Sequence, residues 1–116
     1  MRQRNWLAWF IPAIEILQAS RFRRQVMQLM ADKFGEADAI ITPSLSNSMC
    51  LITNFTGHPS LTLRCGFRPG RQADSPETPY GITLIGRLFD EPAICRIGTA
   101  MEREFAVWDR RPPMMM

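Results

Sequence analysis

The sequence contains one lysine, Lys33, and one histidine, His58, among its 116 residues. A mechanism that needs a catalytic lysine therefore has one candidate, and any site built on two histidines is excluded. The 3 cysteines, Cys50, Cys65 and Cys95, lie far apart and form no C-x-x-C pair. Neither a disulfide framework nor a zinc knuckle is indicated, and reduced, partly buried thiols are expected. No apolar run approaches the roughly 20 residues that span a bilayer. Charge of one sign is scarce as well: 14 basic residues stand against 11 acidic ones, a formal net charge of +3. That surplus is too small and too scattered to announce a nucleic-acid surface. No cofactor or metal motif is present, and none is expected.

What the chain does have is the material for a core. Hydrophobic residues make up 46% and charged residues 22%, a balance that argues for one globular domain over 1–116 and against disorder. Arg2 and Arg4 precede the apolar run Trp6 to Ile14, which superficially resembles a secretion signal. Pro12 interrupts that run, Glu15 follows it, and no small-x-small cleavage site is evident. A packed segment and a cytoplasmic location are expected instead.

Pro12 to Phe34 reads as a helix. Pro12 suits the first turn, Phe22, Val26, Met30 and Phe34 recur every four residues with Leu29 beside them, and Gly35 follows as a stop. Ala39-Ile40-Ile41-Thr42, ended by Pro43, is a short continuous apolar run, the pattern of a strand buried on both faces. Ser44 to Pro59 is rich in serine, asparagine, threonine and glycine and reads as an ordered loop. Leu61, Leu63 and Cys65 alternate with Ser60, Thr62 and Arg64, which predicts a half-buried strand. Gly66 to Pro79 reads as an exposed connection and Ile82 to Gly86 as a third strand. Asp90 before Glu91-Pro92 caps a last helix with Ile94, Ile97, Met101 and Phe105 on one side. Trp108 to Met116 is read as a tail. The order predicts an α/β fold, a small three-stranded mixed sheet with two main helices, too thin to cover all its own faces.

Three stretches then line up with one family. They are "IPAIEILQASRFRRQVMQLMADKFGEADAIITPS" (Ile11 to Ser44), "TNFTGHPSLTLRCGF" (Thr53 to Phe67) and "TPYGITLIGRLFDEPAICRIGTAMERE" (Thr78 to Glu104). In this order they resemble the C-terminal part of amidase-signature hydrolases, a group that includes bacterial amidases and the A subunit of the tRNA-dependent amidotransferase. The resemblance rests on Thr42 and Pro43; on Asn54, Thr56, Gly57 and Pro59; and on Pro79, Gly81, Gly86, Arg87, Phe89, Asp90 and Glu91. Arg64 stands where the family commonly has proline, which bears on the end of the second strand.

The resemblance implies amide hydrolysis through an acyl-serine, with a second serine, a lysine base and a glycine-rich oxyanion hole. The Gly-Gly-Ser-Ser-Gly type stretch that carries the serines is absent, and Lys33 does not match the catalytic lysine. The chain is therefore expected to have no catalytic residues of its own and to be inactive alone. Its substrate side is expected in the Ser44 to Pro59 loop, at Asn47, Asn54, Thr56 and Gly57. Asn47 aligns where the glutamine-using branch carries an acidic residue, and a neutral amide pairs less well with an ammonium. The expected partners are a second copy of the chain or a complementing N-terminal amidase chain, with a small amide substrate in the complete enzyme only.

Other residues have simpler readings. His58 lacks a nucleophile or acidic partner nearby in sequence and is expected to pack in the loop. Arg21, Arg23 and Arg24 read as a solvated or salt-bridged helix face. Ser44, Ser46 and Ser48 have no spacing that supplies an activating base. Asn54-Phe55-Thr56 matches a glycosylation sequon, which the family loop explains equally.

Overall fold

The computed structural model describes residues 10–44, 46–70 and 75–111. The element order is α1 (Ala13–Phe34), β1 (Ala39–Pro43), α2 (Asn47–Thr56), β2 (Ser60–Arg68), β3 (Thr78–Gly86) and α3 (Glu91–Phe105). The three strands form one sheet in the order β1-β3-β2, and both pairings are antiparallel. The expected mixed sheet is thus corrected: the short return from β2 to β3 makes a hairpin, and β1 adds to its free side in the antiparallel sense. The number of helices is corrected as well, because a third, α2, occupies most of the segment expected to be a loop.

Register sorts the side chains by face, since residues opposite each other in a pair share one. Ile40, Ile85 and Ser60 stand in one row, and Thr42, Thr83 and Thr62 stand two rows further along the same face. Ile41, Leu84 and Leu61 form the row between them, on the opposite face. The first face is covered by α1 and α2, whose Met30, Phe34, Met49 and Ile52 pack with Ile40 and Ile85. The second is covered by α3, which lies on β2 and β3. Gly98 permits that approach, because a Cβ there would run into the Leu61 side chain.

β1 departs from its expected burial. It is an edge strand, and Ile41 is 57% exposed because α3 lies over β2 and β3 and leaves β1 uncovered. β2 runs on past Arg64 to Arg68, and β3 begins at Thr78, so the exposed connection is shorter than the sequence suggests. A bulge between Arg64 and Gly66 leaves Cys65 as the extra residue in β2.

The two long helices form as their sequences indicate. α1 ends at Gly35, whose positive φ of 50° and amide bonded to the Ala31 carbonyl close the last turn. α3 starts at Asp90, whose carboxylate accepts from the Ala93 amide at 3.3 Å. α1 is about 33 Å long at the helical rise, yet only its C-terminal part reaches the body. Met30 and Phe34 are buried and Val26 half-buried, whereas every position from 13 to 25 is exposed. Phe10, Ile11 and Ile14 are exposed too, so the described end of the first apolar run does not pack as expected. The preceding residues, the suggested secretion signal and the terminal Met114 to Met116 lie outside the described residues. Cys50 and Cys95 are exposed and Cys65 intermediate, all three free, so two thiols are more open than expected.

Candidate functional site

α2 sets the site. Ser46 precedes it in extended conformation, Gly57 ends it in the left-handed region at φ 85°, and the Gly57 amide bonds to the Thr53 carbonyl at 2.7 Å. Between α2 and the sheet lies a cavity of about 160 Å3. Its sheet wall includes Thr42, Thr83 and Thr62, one from each strand, and Ser44, Ser60 and Thr53 add further hydroxyls. Thr62 and Thr83 are hydrogen-bonded to each other at 2.9 Å. Thr53 is buried and donates to the Cys50 carbonyl within its own helix at 3.2 Å.

This wall is rich in neutral donors and acceptors and poor in charge. It can hold a polar neutral group such as an amide by hydrogen bonds. Among the described residues no serine hydroxyl bonds to a histidine, lysine or carboxylate. Nor do three residues of the His, Cys, Asp or Glu types gather as metal ligands among them.

The four residues expected on the substrate side are not brought together. Asn47 begins α2, next to Ser46 in the cavity wall, whereas Asn54, Thr56 and Gly57 lie at the other end. Asn54 is exposed; Thr56 is fully buried and holds structure. Its hydroxyl donates to the Ile52 carbonyl at 2.7 Å and lies 2.6 Å from His58 Nδ1. A hydroxyl has one proton to give, so Nδ1 must carry the hydrogen of that second bond. The His58 ring stacks on Phe34 with centroids 5.7 Å apart and planes at 12°. Burial holds the His58 pKa below its ordinary 6.5. His58 is therefore a neutral packing residue that joins the end of α2 to the end of α1, as its sequence context suggests.

Arg87 completes this junction from the far side of the chain. Its guanidinium lies 5.7 Å from the Phe34 ring centroid, Nε donates to the Ala37 carbonyl at 3.2 Å, and Nη2 donates to the Gly35 carbonyl at 2.5 Å. Arg23 reaches from α1 to the Thr56 carbonyl at 3.5 Å, while Arg21 and Arg24 are exposed. The serine and threonine lining had no distinctive signal in sequence. Thr42, Thr62 and Thr83 come from three separate strands, and only their register aligns them.

Comparison with known proteins places these elements in a larger context. The A subunit of glutamyl-tRNA(Gln) amidotransferase from Chloroflexus aggregans is 29% identical over an alignment covering 84% of this chain and 22% of that protein. The same-named protein of Synechococcus sp. (strain JA-3-3Ab) is 32% identical over 72% of this chain and 15% of its own length. The chain is a relative of the amidotransferase A subunits. That of Chloroflexus aurantiacus (strain J-10-fl) is 36% identical over 62% of this chain and 13% of the relative. The match to these amidase-family proteins falls in their C-terminal region, and the chain spans less than a quarter of their length. No protein-family profile matches the chain, and no solved structure matches it.

Proposed function

We propose that this chain is the C-terminal segment of an amidase, an enzyme class acting on carbon–nitrogen bonds, and that it completes the sheet and substrate side of that enzyme. The observation that carries the reading is the match of most of this chain to a C-terminal fraction of the A subunits. The exposed half of α1 and the edge of β1 support it, because both are apolar surfaces without cover among the described residues. The α2 cavity offers the complete enzyme a neutral hydroxyl wall for an amide group. The relatives' name carries the transfer of an amide to glutamyl-tRNA, and a small amide is the substrate class that the complete enzyme would share with them.

Alone, the chain is catalytically silent. Enzymes lower barriers by at least about 8 kcal/mol, and hydroxyls without a base or oxyanion hole have no source for it. The partner is a complementing chain that carries the serines and the lysine, in the cytoplasm. The test mixes the purified chain with the Chloroflexus aggregans relative truncated of the matching C-terminal segment and weighs the mixture by light scattering. A one-to-one complex is expected; two species that never associate would refute the reading.

The second reading is a non-catalytic assembly module that pairs with itself. The β1 edge favours it, since an exposed antiparallel edge bearing Ile41 is a template for a second copy. A concentration-dependent dimer of the chain alone distinguishes this reading from the first.

A further inference from the structure

The cavity between α2 and the sheet holds no charged side chain. None of the residues that line it is an aspartate, glutamate, lysine, arginine or histidine, and Leu45 and Asn47, the chain neighbours of Ser46 in its wall, are uncharged types as well. Its hydroxyls are within reach of a ligand: Ser60 and Thr62 are exposed, and Thr42, Ser44, Ser46 and Thr83 are half-buried. Pro43 and the half-buried Met49 add apolar surface.

The hydrogen bonds already made decide what these hydroxyls can still offer. Thr42 donates to the Pro43 carbonyl at 3.1 Å, which leaves its oxygen able only to accept. Thr62 and Thr83 share a bond at 2.9 Å, so the hydroxyl that accepts in it keeps a proton to give. The wall thus presents acceptor and donor together, and a primary amide brings the complement of both, N–H to the one and carbonyl to the other. A carboxylate only accepts and an ammonium only donates. Each would also leave water with no opposite charge to meet it, which costs more than desolvating the neutral group. Hydrolysis with water turns an amide into a carboxylate and an ammonium, so the wall that favours the substrate disfavours both products. A cavity of about 160 Å3 admits a body of about the bulk of benzene.

We infer that this cavity selects small uncharged primary amides over their acids and over amides that carry an ammonium or a carboxylate, so that the substrate of the complete enzyme is a neutral aliphatic amide. The inference rests on the amidase reading for its substrate class, yet its test needs no partner. Isobutyramide is titrated into the full chain and followed by the backbone and methyl signals of Met49, Thr62 and Thr83 in NMR. Isobutyrate and isobutyramidinium serve as the anionic and cationic isosteres, and glutamine as a primary amide bearing both charges. Saturable isobutyramide binding at millimolar concentration is expected, with all three comparison ligands weaker by about tenfold or more. Thr62→Val with Thr83→Val replaces a bonded pair by apolar isosteres, which should leave the melting temperature nearly unchanged and weaken isobutyramide by about tenfold. Ser46→Ala removes a hydroxyl that does not cap α2 and should weaken it severalfold, giving the same readout should the double variant not fold. Absence of saturable isobutyramide binding, equal binding of any comparison ligand, or wild-type affinity in a folded variant would each overturn the inference. A one-to-one complex with the truncated relative alongside any of these results would leave the amidase reading standing.

Discussion

Replacing Phe34 by alanine should cost this fold more than any other single truncation at the end of α1. Phe34 is 3% exposed, belongs to the cluster of Met30 and Ile85, and lies against both the His58 ring and the Arg87 guanidinium. Truncating a buried phenylalanine costs about 3–5 kcal/mol in lost transfer energy and residual cavity. The stacking and cation–π contacts belong within that figure, because the same ring makes them. With a urea slope of about 2 kcal/mol per molar, a loss of about 4 kcal/mol lowers the midpoint by about 2 M. A chain at the lower end of the usual range of about 5–15 kcal/mol would then be near unfolding in buffer. Urea titration followed by far-ultraviolet circular dichroism measures this. The double cycle with Arg87→Ala should return a coupling of about 0.5–1 kcal/mol from the ring–guanidinium contact. A midpoint shift below about 0.5 M in Phe34→Ala would refute the reading of this junction as the centre of the core.

Three further outcomes follow from the same structure. His58 is neutral and buried with a depressed pKa, so its unfolded form takes up a proton first as the pH falls. Its contribution to stability should be complete above the unfolded value near 6.5, decline as the pH drops below it, and level off under the folded pKa; urea midpoints across this range should show that slope in the wild type and lose it in His58→Gln. At Gly81 an added Cβ would sit 2.5 Å from the Leu63 backbone carbonyl, and backbone cannot step aside. Gly81→Ala should therefore lower stability by about 1–3 kcal/mol, read as a fall in melting temperature, and an unchanged melting temperature would contradict the pairing of β2 with β3 at this point. Ile14 and Leu17 are more than half exposed, so lysine at both should alter stability by no more than about 0.5 kcal/mol each while reducing any self-association seen by light scattering; a collapse of the fold would show that this face is internal.

The parts legible in the sequence are those whose local chemistry and tertiary role agree. Pro12, the four-residue repeat through Phe34 and Gly35 delimit α1, and Asp90 with Glu91-Pro92 marks the start of α3, whose carboxylate does cap Ala93. α2 was hidden because a ten-residue helix is mostly ends. Ser46, Asn47, Asn54 and Gly57 are turn formers that serve there as helix-end residues, leaving only Met49 to Ile52 as an apolar interior. β1 differs for another reason: Ala39 to Thr42 carries the apolarity of a doubly covered strand, and among the described residues one of its faces is left open at Ile41. That discrepancy is what a segment of a larger sheet should show. Asn47 and Gly57 stand at the two ends of one helix, a separation that does not show when the segment is taken for a loop. The threonine row could not be found without the register that aligns three strands.

In the proposed reading this chain contributes structure to an amidase and supplies none of the catalytic machinery itself. The direct measurement is ammonia release from amide substrates by the purified chain, run beside labelling with a serine-reactive fluorophosphonate. Ammonia release at the buffer rate and no labelled serine are expected. Turnover above buffer that disappears when a labelled serine is replaced by alanine would contradict it.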